Sequence, residues 1–302
     1  MNLESVNPVP YFDGKIVLEE VEHVYTVDGY GIFDSTTEFI EQFCEPFDTN
    51  AVSKQMARSG SWRTKERYAN SVRERSDGND SIECIAAIIR QLWKEWADLG
   101  TELHEAIEFF YCGKRELAYF ERRTATNVEY GYFVNFHTGY LVPRNLEAFR
   151  MELRTADFEA RLCGSIDGLF RDRHTRGIVM IDWKRVRELH QLQTAQALLV
   201  TTDDELVVDW PEVYELYDAR FGVKRCKAPI EHVPDCNLWH YFLQQNFYRH
   251  YLSLAGILLQ SMHLVVMHPT NDDYRVIDVP LMDEEVRALL AVRRESLSIS
   301  SN

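Results

Sequence analysis

A chain of 302 residues, 45% apolar and 27% charged, can bury one large core or two modest ones, which argues against a disordered or fibrous protein. Its net charge of −15, from 33 basic and 48 acidic side chains, argues against indiscriminate nucleic-acid binding, because phosphate contacts dominate such affinity. The six cysteines are dispersed without a CxxC pair, which argues against a zinc ribbon or an iron–sulfur cluster and is the pattern of reduced thiols in an intracellular protein.

In chain order, MNLESVNPVPYFDG has neither a basic n-region nor an apolar h-region, so no secretory signal is expected. Ile16–Val27 alternates loosely and is expected as a strand, with TVDGYG as a turn. Asp34-Ser35-Thr36-Thr37 before Glu38 has the composition of a helix start leading into Phe39–Phe43. Lys54–Arg75 then holds Lys54, Arg58, Arg63, Lys65, Arg67, Arg73 and Arg75 against Glu66 and Glu74. A local excess of +5 on an acidic protein is either a directed phosphate-binding surface or a solvated helix face. The loop SDGNDS (Ser76–Ser81) separates this segment from a long helix predicted over Ile82–Tyr111, where apolar residues recur at helical spacing.

Ala148–Thr155 and Glu159–Arg171 are expected as a hairpin through Ala156–Phe158, and Ile178–Lys184 as a third strand after RDRHTRG. Val186–Phe221 is expected to be mostly helical, followed by a helix over about Asp235–Leu259 and a strand over Met262–His268. A short strand, Tyr274–Val279, and an amphipathic helix from Met282 complete the set. The least polar stretch, Tyr251–Met267, is too short and too interrupted to span a bilayer, so no membrane partner is expected. Helix, three strands, helix, strand is the order of an α/β fold: a mixed central sheet flanked by helices.

The chemistry concentrates at the end of the third predicted strand, IVMIDWK. Residues two apart on a strand share a face, so Asp182 and Lys184 project together and Trp183 projects oppositely. An acid beside an ammonium at the end of a buried strand is costly unless something uses it, and a strand-end salt bridge is the plain alternative. Asp167, in GSIDGLF, lies in a strand of core residues between Gly164 and Gly168, which permit close approach. Glu152 and Glu159 on the neighbouring strands are candidate auxiliary acids, although edge exposure explains them equally. On the long helix, His104 and Glu108 of GTELHEAIE are four apart and share a face. Glu108 stands where a zincin motif needs its second histidine, which argues against a zinc protease. Gln244 and Tyr248, again four apart, form a polar stripe on an aromatic-rich helix and could donate hydrogen bonds to a phosphate.

The order His104 … Asp167 … Asp182-Trp183-Lys184 … Gln244-x-x-x-Tyr248 resembles the PD-(D/E)xK nuclease superfamily. More narrowly it resembles the RecB-like branch, with its helical GT-x-x-H, its acid, its D/E-x-K and its QxxxY. The segments HVYTV, STTEFIEQF, EYGYFVNF, CGSIDGLF, VPDCNLWHYFLQQNFYRHYL and MHPTNDDYRVIDVP are similar to RecB-like exonucleases of large DNA viruses, a likeness covering roughly Glu20–Arg294. The stretch between Arg185 and Ile230 is longer than that family leads one to expect, and the cysteines of its iron–sulfur members are absent.

The resemblance implies a restriction-endonuclease-like core over 82–302 with a helical insertion at about 186–230, and an N-terminal extension over 1–81 that carries the basic segment and packs on the core. It implies a metal-dependent deoxyribonuclease, expected as an exonuclease in DNA repair or recombination, acting on double- or single-stranded DNA. Asp167 and Asp182 would bind one or two Mg²⁺ or Mn²⁺ ions, His104 would complete the metal site with Glu108 as a weaker candidate, and Lys184 would stabilise transition-state charge. Gln244, Tyr248, Arg185 and the residues Lys54, Arg58, Arg63 and Lys65 would contact DNA, and a homo-oligomer or a recombination partner protein is compatible with this class. The competing expectation is a nuclease-fold protein that binds nucleic acid or a partner without cleaving it. A third is an unrelated α/β protein with a strand-end salt bridge.

Overall fold

The structure, a computed structural model, describes residues 3–19, 24–186, 199–202, 205–210, 213 and 224–300. The chain divides into two compact units, one of residues 1–45 with 106–302 and one of residues 46–105. The region expected as a single extension over 1–81 is therefore shared between both units.

The elements in chain order begin with α1 (Leu3–Val6), β1 (Ile16–Glu19), β2 (Val24–Val27), β3 (Gly31–Ser35) and α2 (Thr36–Glu41). Ile16–Val27, expected as one strand, is two: β1 runs antiparallel to β2 with Ile16 opposite Val27. An alternating pattern reads the same on both arms of such a pair. Asp34 and Ser35 finish β3, and α2 starts at Thr36 as expected, with Ser35 in the N-cap position although its side chain makes no cap hydrogen bond.

The second unit holds α3 (Thr49–Ser59), a 3₁₀ turn (Ser61–Thr64), α4 (Glu66–Arg75) and most of α5 (Ile82–Tyr111), whose bounds match the predicted helix. Asp48 caps α3 by accepting hydrogen bonds from the Asn50 and Ala51 amides, satisfying donors a helix start leaves open. At the other end Gly60, at φ 71°, takes the left-handed turn that a Cβ disfavours. Ala57, Trp62, Tyr68 and Val72 pack with Ile85, Ile88, Ile89 and Leu92 of α5 into a core of this unit's own.

The first unit continues with α6 (Leu117–Arg123) and α7 (Val128–Phe136), the latter running into a π-helical turn at His137–Leu141. Then come β4 (Leu146–Asp157), β5 (Leu162–Asp172), β6 (Ile178–Lys184), β7 (Leu199–Thr202) and β8 (Glu205–Val208). The chain closes with α8 (Asn237–Leu254), β9 (Leu259–Val266), β10 (Arg275–Asp278) and α9 (Asp283–Ser300). Of the region expected to be helical at about 186–230, residues 187–198, 203–204, 211–212 and 214–223 lie outside the described residues. The described part holds the antiparallel ribbon of β7 and β8, where Leu206-Val207-Val208 has strand rather than helix composition.

Among the described residues, β1–β6, β9 and β10 form one mixed, open sheet flanked by helices. Strand β5 is its hinge piece. Antiparallel β4 runs along its whole length, whereas parallel β3 joins at Leu162–Cys163 and antiparallel β6 at Gly168–Arg171. Parallel β9 pairs with β6 from Ile178 to Lys184, and β10 closes that side. The alternation of β6 is honoured. Trp183, 1% exposed, packs edge-on against Phe136 of α7 and Phe170 of β5 at ring separations of 5.4 and 6.2 Å. Burying such a ring contributes roughly 1.5–3 kcal/mol, enough to fix which face of β6 turns inward and so to aim Asp182 and Lys184 the other way, toward α8. That helix is buried along most of its surface by Trp239, Phe242, Phe247 and Tyr251, and no described helix is long and apolar enough to cross a membrane.

Candidate functional site

Asp182 and Lys184 meet at the end of β6, with Nζ 2.8 Å from Oδ2. Asp182 is buried, and its Oδ1 accepts a 3.0 Å hydrogen bond from the Gln245 side-chain amide of α8. Burial pushes the Asp182 carboxyl up to about 7, with the Asp167 charge adding to the rise and Lys184 opposing it. Lys184 moves above its ordinary value although burial acts against it, because the Asp182 and Asp167 carboxylates attract the ammonium. Its Nζ also lies 4.6 Å from the centre of the Tyr241 ring and 3.4 Å from Gln244 Oε1. The Gln244 amide donates in turn to Tyr248 Oη at 3.0 Å and to Thr37 Oγ1 at 3.1 Å. The stripe read from the sequence thus stands directly against the lysine.

Asp167 joins this group where β5 and β6 part. Their main-chain pairing runs from Arg171 opposite Ile178 to Gly168 opposite Ile181. One residue further, the Trp183 N–H donates to Asp167 Oδ2 at 2.9 Å, so a carboxylate takes a donor that a continuing ladder would give to a carbonyl. Across β5, Met151 faces Gly168 and Leu153 faces Ile166, a register that sets Glu152 opposite Asp167. Two acids in that position repel one another. Burial, followed by the Asp167 charge, pushes the Glu152 carboxyl up to about 8, while Ser165 Oγ donates to its Oε2 at 2.8 Å. Glu152 also has φ 45°, the left-handed region that costs a non-glycine residue about 1–3 kcal/mol and persists only where its surroundings enforce it. A repelling carboxylate pair, one member on a strained backbone, is the local chemistry that a bound cation would relieve.

Glycine carries the packing at two points. A Cβ on Gly164 would stand 2.3 Å from Tyr248 Cε1, and one on Gly168 would stand 2.9 Å from a Phe170 ring carbon. The first is the close approach that lets the Tyr248 ring lie on β5. Beside Glu152 and Glu108, a cleft of about 740 Å³ opens between β4, the N-terminal segment and the end of α5, with Lys114 and Arg154 on its walls.

The remaining sequence candidates lie as follows. His104 and Glu108 are both half-buried on one face of α5, and the division between the two units falls between them. Arg185 is paired with Glu129 of α7 at 2.8 Å, both side chains almost fully buried, so its guanidinium is engaged inside the protein. In the second unit, Arg58, Arg63 and Lys65 are exposed, with the Arg63 guanidinium over the Trp62 ring, and Lys54 pairs with Glu83 at 3.2 Å. Of the two auxiliary acids, Glu152 is at the site, and Glu159 is an exposed turn residue 3.9 Å from Arg294. Gln245 and Thr37 escape a reading of the sequence. The signal for Gln245 is only that it follows Gln244 on the same helix, and nothing local marks Thr37.

Compared with known proteins, the chain matches no family model and no curated protein.

Proposed function

We propose that the protein is a metal-dependent DNA nuclease of PD-(D/E)xK type, acting as an exonuclease in DNA processing, recombination or repair. The observation that carries this reading is the convergence of Asp182 and Lys184 with Asp167 at the parted end of β5 and β6, and with Gln244 and Tyr248 from α8. An ordinary strand-end salt bridge needs none of the last three.

The acids fit a hard divalent cation such as Mg²⁺ or Mn²⁺. Asp167 and Glu152 face one another as oxygen donors whose mutual repulsion a cation offsets, and Asp182 adds a third carboxylate. His104 is the ligand that the sequence resemblance adds. When bound, the ion supplies Lewis-acid charge that favours deprotonation of an attacking water and stabilises the leaving oxygen. Lys184, held by Asp182 and the Tyr241 face, keeps a fixed positive charge where charge on the phosphate grows. The Gln244 amide and Tyr248 hydroxyl offer donors to the non-bridging oxygens and fix the register of the backbone. Arg185 positions the end of β6 through Glu129, while Arg58, Arg63 and Lys65 supply exposed cationic groups for phosphate contacts.

The test is digestion of linear and covalently closed circular DNA with Mg²⁺, using 5′- and 3′-labelled ends. Loss of linear DNA alone, abolished in Asp182→Asn, supports the reading, and the order of label release gives polarity. Equal degradation by wild type and Asp182→Asn refutes it. Mg²⁺-dependent binding without product on any DNA or RNA would favour a nuclease-fold binding protein.

A further inference from the structure

We infer that Cys44, Cys226, Asp235 and His240 form a second, thiolate-containing metal site, suited to Zn²⁺ and separate from the carboxylate site. One ligand atom of each lies within 4.8 Å of all the others. The two sulfurs are 4.0 Å apart, Cys44 Sγ is 3.1 Å from His240 Nε2, and Asp235 Oδ1 is 2.9 Å from the same nitrogen. Around a tetrahedral zinc with Zn–S bonds of ~2.3 Å and Zn–N and Zn–O bonds of ~2.0–2.1 Å, these separations would be about 3.8, 3.5 and 3.3 Å. Adjustments of a few tenths of an ångström bring these three separations to those values, and the remaining pairs lie within 4.8 Å.

Three features favour a metal over a hydrogen-bonded cluster. First, a sulfur and a carboxylate oxygen both meet Nε2. A Cys–His–Asp relay would place them on opposite ring nitrogens, and one N–H can satisfy only one of them. Ligands converging on a common centre have the arrangement seen here. Second, both cysteines are nearly inaccessible, at 2% and 4% exposure, and the sulfur separation is about twice a disulfide bond. Third, the ligands are held from outside. The Glu45 N–H donates to Asp235 Oδ2 at 2.8 Å and the Lys227 N–H to the Phe43 carbonyl at 2.7 Å. The Cys226 N–H donates to the Val233 carbonyl at 2.9 Å, so Cys226 and Asp235 sit on one tied loop. Outer hydrogen bonds of this kind orient metal ligands.

Two sulfurs, one imidazole nitrogen and one carboxylate oxygen in a closed set suit a structural tetrahedral ion, and the thiol protons leave to solvent when it binds. The ion would join the end of α2, the 224–235 loop and the first turn of α8. His240 lies one helical turn before Gln244, so the ion would anchor the helix that meets Lys184.

The test uses the full-length chain, reduced, stripped with chelator and titrated with Co²⁺. The expected result is one equivalent giving thiolate-to-cobalt charge-transfer and tetrahedral d–d bands, both displaced by Zn²⁺. Charge-transfer intensity should fall to about half in Cys44→Ser and vanish in Cys44→Ser/Cys226→Ser, and should be unchanged in Asp182→Asn. In wild type, Zn²⁺ should also slow modification of two thiols relative to chelator-treated protein, where local opening exposes them, a measurement that needs no variant to fold. Folded wild type without thiolate bands, or bands equally strong in the double variant, would overturn the assignment.

Discussion

Asp182 balances the Lys184 charge inside the protein, and in the proposed function it also supplies an oxygen to a cation. Removing one partner of a buried ion pair leaves the other unpaired, at a cost of about 3 kcal/mol. Asp182→Ala should therefore lower the urea midpoint markedly. Asp182→Asn keeps the shape and a carbonyl oxygen for the Gln245 amide, and should unfold closer to wild type. Both should reduce DNA cleavage at least ~10²–10³-fold in single-turnover assays. Glu152 and Asp182 also set a pH dependence. Their ordinary values of 4.5 and 3.8 rise to about 8 and about 7 on folding, so the folded chain binds these protons more tightly than the unfolded one. The stability they contribute is fully present below pH ~4 and is lost as pH climbs toward 8. Thermal melts of metal-free protein should fall over that range, Glu152→Gln should flatten the fall, and Mg²⁺ should raise the curve most at the alkaline end.

At the scale of elements, the approach of α8 to β5 depends on a missing side chain. Gly164→Ala puts a methyl group into the Tyr248 ring, and such overpacking costs about 1–3 kcal/mol. The variant should melt lower and bind DNA more weakly. Tyr248→Phe should keep the melting temperature near wild type while losing the Gln244 contact and the hydroxyl donor to the phosphate, so that DNA binding weakens without a lower melt. The bounds of α5 and β6 are legible in the sequence because their apolar periods are long and end abruptly, at Tyr111 and Lys184. Asp182, Lys184, Gln244 and Tyr248 are legible for the same reason, since each sits at a fixed phase of a regular element. Less is readable where period carries no information. The β1–β2 pair looks like one strand, and α6 and α7 are held by an aromatic cluster of Phe110, Phe120 and Phe133 that has no clear repeat. The left-handed backbone of Glu152 follows from tertiary enforcement, and Cys44 and Cys226 meet across 182 residues without a shared motif.

For the molecule as a whole, the charge is divided unevenly. An acidic chain of net −15 carries its basic segment in a unit with a separate core, so DNA affinity should owe much of its salt sensitivity to that unit. Each phosphate contact contributes about 0.9 to the slope of log affinity against log salt on duplex DNA. The triple variant Arg58→Ala/Arg63→Ala/Lys65→Ala should lower that slope by about 2–3 while leaving cleavage of saturating DNA nearly unchanged. Unaltered slope and affinity would assign the segment to a solvated helix face.

The sheet also joins distant parts of the chain. Thr37 receives the Gln244 hydrogen bond across 207 residues, Thr36 meets Tyr251 across 215, and β6 waits for β9 as its parallel neighbour. On the ribosome, therefore, Asp182 and Lys184 emerge well before the helix and strand that seat them. A nascent chain ending before α8 has its acids and lysine but no scaffold to hold them, so the proposed cleavage site cannot assemble until α8 and β9 have emerged.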